Sequence, residues 1–252
     1  MSLISVVLPA KNEQGNIGQL IQEIHQSLHQ QYSFEIVITD DGSDDRTVQE
    51  AIDMAQFCGC ALQVLSHSHS CGQSTGVYSA VCYAKGDWII TSDADGQNDP
   101  ADYPKLIMLA QQQRQTHFCI AGFRHQRLDT PWVRFQSRFA NAIRQLLLGD
   151  GVPDSGCGLK LFPKKTFMLL PYFDHMHRFL PALIKRLGGE VVICPVNHRE
   201  RNAGASNYNV WNRLWVGVVD LLGVIWLRQR TKYPSSVTVR FDSNDESSVN
   251  NP

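Results

Sequence analysis

No run in this sequence is long and apolar enough to promise a bilayer span. The most apolar stretch, 210–227, carries Arg213 and Asp220. Its nearly uncharged part, 214–227, would cover roughly 21 Å as a helix, against a bilayer core of about 30 Å. The first residues, MSLISVVLPAKNE, have neither a basic lead nor a cleavage site, so they read as a first strand rather than a secretory signal. Gly-x-Gly-x-x-Gly and Gly-x-x-x-x-Gly-Lys-Ser/Thr are both missing, and so is a Ser-centred nucleophile elbow. Dinucleotide oxidoreductase, P-loop and serine-hydrolase readings therefore lose their main support. There is no internal repeat and no linker-like segment that would divide the chain. Cysteine is present seven times, an odd and scattered set in a chain too large to need staples, so reduced thiols of a cytosolic protein are expected.

Each half of the chain is short of one charge. Residues 1–119 hold 5 Lys and Arg against 14 Asp and Glu; residues 120–241 hold 18 against 7. The formal net charge of −1 hides this split. An acidic first half and a basic second half fit a protein that handles a cation in one place and anions in another. Nucleic acid is not an expected partner. Hydrophobic residues at 43% and charged residues at 19% are ordinary for a globular fold and exclude a mostly disordered, collagenous or coiled-coil chain.

Short β-rich runs at 4–8, 35–39, 61–66 and 88–92 alternate with helix-like stretches at 15–28, 45–55, 72–84 and 102–113. The alternation predicts βαβ units, a mainly parallel sheet and helices on both faces. A fifth strand is expected at 118–122. Beyond it come a basic amphipathic helix at 131–148, a Gly-rich turn at 154–160, a helix at 177–187, a strand at 191–196 and a basic loop at 199–208. The helix at 210–227 follows, and after residue 240 a polar tail expected to be disordered.

Ligands of such sheets sit at the carboxyl ends of the strands. The second strand runs into Asp40-Asp41-Gly42-Ser43-Asp44-Asp45, and the fourth into Asp93-Ala94-Asp95-Gly96-Gln97-Asn98-Asp99. Clustered carboxylates repel one another and are best tolerated where a cation or hydrogen-bond donors neutralise them. Asp93 and Asp95 flank one residue, so both can face one side of a turn. Hard oxygen ligands of this kind suit Mg²⁺ or Mn²⁺. The competing reading is helix capping, which suffices for Asp44 or Asp45.

The order Pro9-x-x-Asn12-Glu13, Asp40-Asp41-Gly42-Ser43-x-Asp45-x-Thr47, then Gly86-Asp87 leading a strand into Asp93-Ala94-Asp95-Gly96-Gln97 resembles inverting family-2 glycosyltransferases of the GT-A fold. Gly122-Phe123-Arg124, Asp154-Ser155-Gly156-Cys157-Gly158 and Arg201-x-x-Gly204-x-Ser206-x-Tyr208 are similar to the polyprenol-phosphate sugar transferases, the dolichol-phosphate mannosyltransferase group. The match covers about residues 4–208. The resemblance implies a nucleotide-sugar donor of the GDP-mannose or UDP-glucose type and a polyprenyl phosphate acceptor. Pro9, Lys11 and Glu13 fall where the family contacts the nucleoside, and Thr39 and Asp41 on the base side. Asp93 and Asp95 fall on the metal-binding pair. Gln97 completes that site, and Ala94 contacts the nucleotide through its backbone. Arg124 and Arg201 fall where guanidinium groups meet phosphate, a role that suits a planar, permanently charged fork. Asp95, Arg124, Asp154 and Arg201 are thus the catalytic set, with Asp154 as organiser. Were the acceptor a hydroxyl, Asp154 would be the candidate base. A non-catalytic nucleotide-binding module is the reading from another class.

One position departs from the pattern. The family usually continues Ser-Lys-Tyr or Ser-Lys-Phe, and here the run is Ser206-Asn207-Tyr208. Either an arginine such as Arg199 or Arg213 replaces the lysine, or the acceptor is held differently. The domain expectation is a GT-A unit at 1–209, an amphipathic helix at 210–232 and a tail at 233–252. Trp211, Leu214, Trp215, Val218, Leu222, Ile225 and Trp226 share one side of that helix; Arg213, Gly217 and Asp220 share another. With Arg228, Arg230 and Lys232 beside it, the helix is expected to lie in a membrane interface on the cytoplasmic face. A core helix and a homo-oligomer contact are the other readings. Cys58, Cys60, His67, His69 and Cys71 fit no standard zinc spacing.

Overall fold

The computed structural model describes residues 3–124, 144–199 and 210–230, with the side chains of the last segment described from 217 onward. Its centre is a seven-stranded sheet in the order β3-β2-β1-β4-β6-β5-β7. The strands are β1 (Ile4–Ala10), β2 (Phe34–Asp40), β3 (Leu62–Ser66), β4 (Trp88–Thr91), β5 (Phe118–Arg124), β6 (Lys160–Pro163) and β7 (Glu190–Val196). The first four are parallel, with β1 between β2 and β4. β6 runs antiparallel between β4 and β5, and β7 pairs parallel with β5.

The parallel strands are buried on both faces, which is why Val6, Val7 and Leu8 form an unbroken apolar run instead of alternating. Two cores result. One lies under α1 (Ile17–Leu28), α2 (Thr47–Cys58) and α4 (Tyr103–Gln111). Ile17, Leu20, Ile21, Ile24 and Leu28 recur at helical spacing and are fully buried. At about 1.5–3 kcal/mol for each such side chain, this stripe alone fastens α1 to the sheet. The other core lies under α3 (Gln73–Tyr83), α5 (Lys164–Phe167), α6 (Leu180–Arg186) and α7 (Val210–Arg230).

The expected alternation through residue 124 is observed, with boundaries shifted by a few residues. The Gly-rich turn expected at 154–160 ends one residue early, because Lys160 opens β6. That strand has four residues, with Lys160 at one end and Pro163 at the other, too short to carry a periodic signal. The helix expected at 177–187 is split into a 3₁₀ turn, Met176–Arg178, and α6. Of the helix expected at 131–148, residues 144–148 are described and helical; the rest lies outside the described residues, as does most of the loop at 199–208 and all of the tail. All seven cysteines are free thiols.

α7 turns its polar side inward. Asp220 faces His175 at 3.2 Å, Val224 is buried, and Leu221 and Ile225 pack against the second core. Val218, Val219, Leu222 and Trp226 are exposed, and Leu146 and Leu147 are exposed on the turn reached by the Arg228 guanidinium, which donates to the Leu148 carbonyl. Ile225 thus leaves the outward stripe assigned to it from the sequence, because it sits one residue from buried Val224. Among the described residues no helix is long and apolar enough to cross a membrane.

Candidate active site

The loops after β1, β2, β3 and β4 meet at the carboxyl edge of the sheet. The first two are laced together. Asn12 adopts a left-handed conformation (φ 54°); its N–H donates to Ser43 Oγ (2.9 Å) and its side-chain oxygen accepts from Asp44 N–H (3.0 Å). Asp45 accepts from the N–H of Thr47 at 2.9 Å and from its hydroxyl at 2.5 Å, so this carboxylate caps the turn into α2, as the capping reading allowed. Glu13 is buried, and its Oε2 accepts from Asn16 Nδ2 at 2.8 Å. Lys11 is exposed and Pro9 half-buried at the mouth. Thr39 has no exposed surface; its hydroxyl donates to the Gly76 carbonyl (2.9 Å), so it supports α3 from beneath.

Asp41 is the most heavily bonded of the strand-end acids. It accepts from His67 Nδ1 (2.7 Å), Ser70 Oγ (2.7 Å), Cys71 N–H (2.8 Å) and Gly72 N–H (2.9 Å). Burial pushes its carboxyl up, but these four hydrogen bonds outweigh burial and hold it below the usual carboxylate value. The ligand atoms of Asp41, His67 and Cys71 lie within 4.8 Å of one another. They form a hydrogen-bonded cluster, with Cys71 Sγ turned to the His69 carbonyl (3.4 Å).

The loop after β4 carries the acid pair. Asp93 and Asp95 are half-buried and Ala94 buried between them. Asp93 accepts from Gln73 Nε2 at 2.7 Å and from Asn98 Nδ2 at 3.1 Å. Gly158 lies against its carboxylate so closely that a Cβ there would collide with it. Asp95 Oδ1 accepts from Gln97 N–H at 3.1 Å. Two carboxylates on one loop offer the hard oxygen donors that Mg²⁺ or Mn²⁺ takes.

The opposite wall is basic. Arg124 ends β5, and its guanidinium grips buried Asp154 through Nε–Oδ2 (2.6 Å) and Nη2–Oδ1 (2.8 Å). Burial alone would lower the Arg124 pKa, but the Asp154 hydrogen bonds and charge outweigh it, so the net shift is upward and the cation persists at every accessible pH. Asp93 contributes to the same field. Lys160 is buried, and its ammonium donates to the Cys157 carbonyl. His177, in the turn before α6, meets Ser74 Oγ through Nδ1 at 2.7 Å. Burial, with the charges of Arg178, Lys160 and His175, holds this imidazole well below its ordinary value, so it is neutral.

Arg199 is held by acids of the first half of the chain. Its guanidinium clamps Glu23 (2.6 Å) and Asp99, while its N–H donates to the Gln97 carbonyl (3.0 Å) and Asn98 bridges to His198. His198 and Arg199 are thereby fixed beside the acid-pair loop. Arg201, Ser206 and Asn207 lie outside the described residues, as does the side chain of Arg213. Asn98 and the Ser74–His177 link were not singled out from sequence. Gln73 opens α3, and its reach to Asp93 depends on tertiary placement.

Comparison with known proteins gives a consistent picture. Residues 5–169 match the model of the family described as glycosyl transferase family 2. The chain is 30% identical over 213 residues to the undecaprenyl-phosphate 4-deoxy-4-formamido-L-arabinose transferase of Edwardsiella ictaluri, covering 83% of this chain and 64% of that one. It is 28% identical over 235 residues to the dodecaprenyl-phosphate galacturonate synthase of Rhizobium johnstonii, covering 92% and 69%. The chain thus spans about two thirds of the length of these relatives. Among solved structures, glucosyl-3-phosphoglycerate synthase from Mycobacterium tuberculosis, in complex with Mn²⁺, UDP and phosphoglyceric acid, superimposes with a TM-score of 0.65 at 20% identity, over 92% of this chain and 80% of that one. Mannosyl-3-phosphoglycerate synthase from Rubrobacter xylanophilus gives 0.67 at 17%, over 94% and 79%. These likenesses establish the GT-A-type fold.

Proposed function

This chain belongs to glycosyl transferase family 2, and we propose that it transfers a sugar from a nucleotide-sugar donor to a polyprenyl phosphate, with inversion at the anomeric carbon. The observation that carries the reading is the 154–158 turn, which lies against both sides: Gly158 sits against the Asp93 carboxylate of the acid-pair loop, and Gly156 against the Arg124 guanidinium. The two relatives named above both act on a polyprenyl phosphate. In this reading Asp93, Asp95 and Gln97 hold Mg²⁺ or Mn²⁺, which when bound neutralises a diphosphate leaving group. Pro9, Lys11 and Glu13 receive the nucleoside, Thr39 and Asp41 support its base side from within the fold by fixing α3 and the turn at 70–72, and the Ala94 backbone contacts the nucleotide. Arg124 and Arg201 screen the acceptor phosphate. An acceptor oxygen attacks the anomeric carbon as the bond to the diphosphate breaks. The acceptor is already an anion, so no side chain has to remove a proton. Arg124 pairs with both Asp154 oxygens, and a carboxylate held by a guanidinium is a weakened base, which favours this acceptor over a hydroxyl one.

The test is transfer of labelled sugar into an organic phase, with undecaprenyl or dolichyl phosphate and Mg²⁺ or Mn²⁺. The donor panel holds GDP-mannose and UDP-glucose, the first expectation. It also holds UDP-linked uronic and 4-amino sugars, because the relatives are named for galacturonate and a formamido-arabinose. Lipid-soluble label from one donor names the reaction and the sugar. Metal-dependent donor hydrolysis without such label would replace the acceptor, and nucleotide binding with neither activity would favour the non-catalytic module.

The unit at 1–209 is proposed to work against a membrane surface, with 210–232 as its seat and 233–252 as a solvated tail. The outward placement of Val218, Val219, Leu222 and Trp226, with exposed Arg228 and Arg230 at the helix end, supports seating on an anionic cytoplasmic leaflet. Leu222→Asp is expected to weaken membrane partitioning in liposome flotation by roughly ten- to a hundredfold, since a leucine burial is worth roughly 1.5–3 kcal/mol. Unchanged flotation on vesicles containing phosphatidylglycerol would remove the membrane role from this face.

A further inference from the structure

The two sides of the candidate site are joined by a short, fully bonded piece of chain. Asp41, on the nucleoside side, accepts four hydrogen bonds, which fill the acceptor positions of a carboxylate. Two come from the N–H groups of Cys71 and Gly72, so Asp41 fixes the turn that ends at Gly72. Gly72 has φ +89°, a conformation that suits glycine. The next residue is Gln73, the first of α3, and its Nε2 holds Asp93 Oδ1 at 2.7 Å. Asp93 has little freedom otherwise, because Asn98 holds its second oxygen and the Gly158 backbone closes its back. Ser74, one residue on, is buried and locked to His177, which keeps the start of α3 from shifting.

We propose that Gln73 is a positioning residue, which fixes the Asp93 carboxylate for the divalent cation and ties that geometry to the Asp41-held turn on the nucleoside side. The inference rests on the reading of Asp93 and Asp95 as the cation-binding pair. It assigns Asp41 a second duty: the acid anchors the turn that aims Gln73, so a change at Asp41 reaches the cation without touching it. Residues that orient metal ligands typically alter affinity 10–100-fold when removed.

The experiment measures UDP and GDP binding in EDTA, then uptake of Mn²⁺ by the nucleotide complex, read by electron paramagnetic resonance of free Mn²⁺. Gln73→Met keeps the side-chain length and removes the donor. It is expected to leave metal-free nucleotide binding within about twofold and to weaken Mn²⁺ uptake about tenfold. Asp41→Asn is expected to weaken both. Because both act on one carboxylate, the double variant should take up Mn²⁺ no more weakly than Gln73→Met alone. Unchanged Mn²⁺ uptake in Gln73→Met overturns the proposal, whether or not Asp41→Asn folds. Multiplying effects in the double variant overturn the link to Asp41. If the unaltered protein takes up no Mn²⁺ with either nucleotide, the cation reading itself falls, and the proposal with it.

Discussion

Asp95→Asn is expected to reduce transfer about a thousandfold, roughly 4 kcal/mol in activation free energy, with the fold intact. The size follows from the charge that develops when a diphosphate leaves. On the proposed reading the leaving diphosphate lies beside the like-charged Asp93 and Asp95, and a bound cation would offset that charge. Asn keeps the shape and one oxygen, so the hydrogen bond from Gln97 N–H survives. It also removes one charge from a like-charged loop, so the change in stability should stay within about 0.5 kcal/mol. Circular dichroism and thermal unfolding check the second point. Lipid-phase label at several Mn²⁺ and Mg²⁺ concentrations checks the first. Full activity at ordinary metal concentrations would show that Asp95 does not hold the cation. A loss restored by much higher Mn²⁺ would locate the defect in cation affinity.

The strand-end acids were legible because two independent regularities agree: βαβ alternation fixes where the carboxyl edge lies, and the acids cluster only there. Asp93 to Gln97 form one local turn, so the contact of the Gln97 N–H with Asp95 Oδ1 follows from nearness in sequence. What the sequence hides is long-range. Asp41 looks like a ligand-facing acid, yet its donors come from 67–72, in the loop after a different strand. Nothing in its own neighbourhood forecasts that saturation. Lys160 looks like the end of a loop, yet it opens β6, because the sheet needs a strand between β4 and β5 and the four residues there are nearly all apolar. Arg199 looks like a free cation near a phosphate, and instead it is neutralised by Glu23 and Asp99, 176 and 100 residues away in sequence. The exposure of Val218, Leu222 and Trp226 on α7 was legible from helical spacing, since Asp220 marks the opposite side; the side chains of Trp211, Leu214 and Trp215 lie outside the described residues. Ile225 was misassigned because it lies at the border of the two faces.

Asp154→Leu is expected to destabilise the protein by about 3–5 kcal/mol and to remove transfer, and the pattern of its rescue separates two roles for this acid. Its side chain is 4% exposed and that of Arg124 is 16% exposed. Removing the carboxylate leaves a buried guanidinium without its partner, which is the costly way to break such a pair. Arg124→Met/Asp154→Leu removes both charges and should recover most of the lost stability, because no unpaired ion remains. Transfer should not recover, since the acceptor phosphate has then lost its cation. The milder Asp154→Asn keeps one acceptor oxygen for the guanidinium and should retain measurable activity. Its pH profile is the deciding measurement. If Asp154 only organises Arg124, the acid limb of kcat/KM belongs to the acceptor phosphate, with a second ionisation near about 6, and Asp154→Asn leaves that limb in place. If Asp154 were a general base for a hydroxyl acceptor, the limb would be its own and would vanish in Asp154→Asn. The bidentate geometry favours the first outcome: a carboxylate whose two oxygens each accept from one guanidinium is poorly placed to take a proton, and well placed to keep that guanidinium charged and aimed.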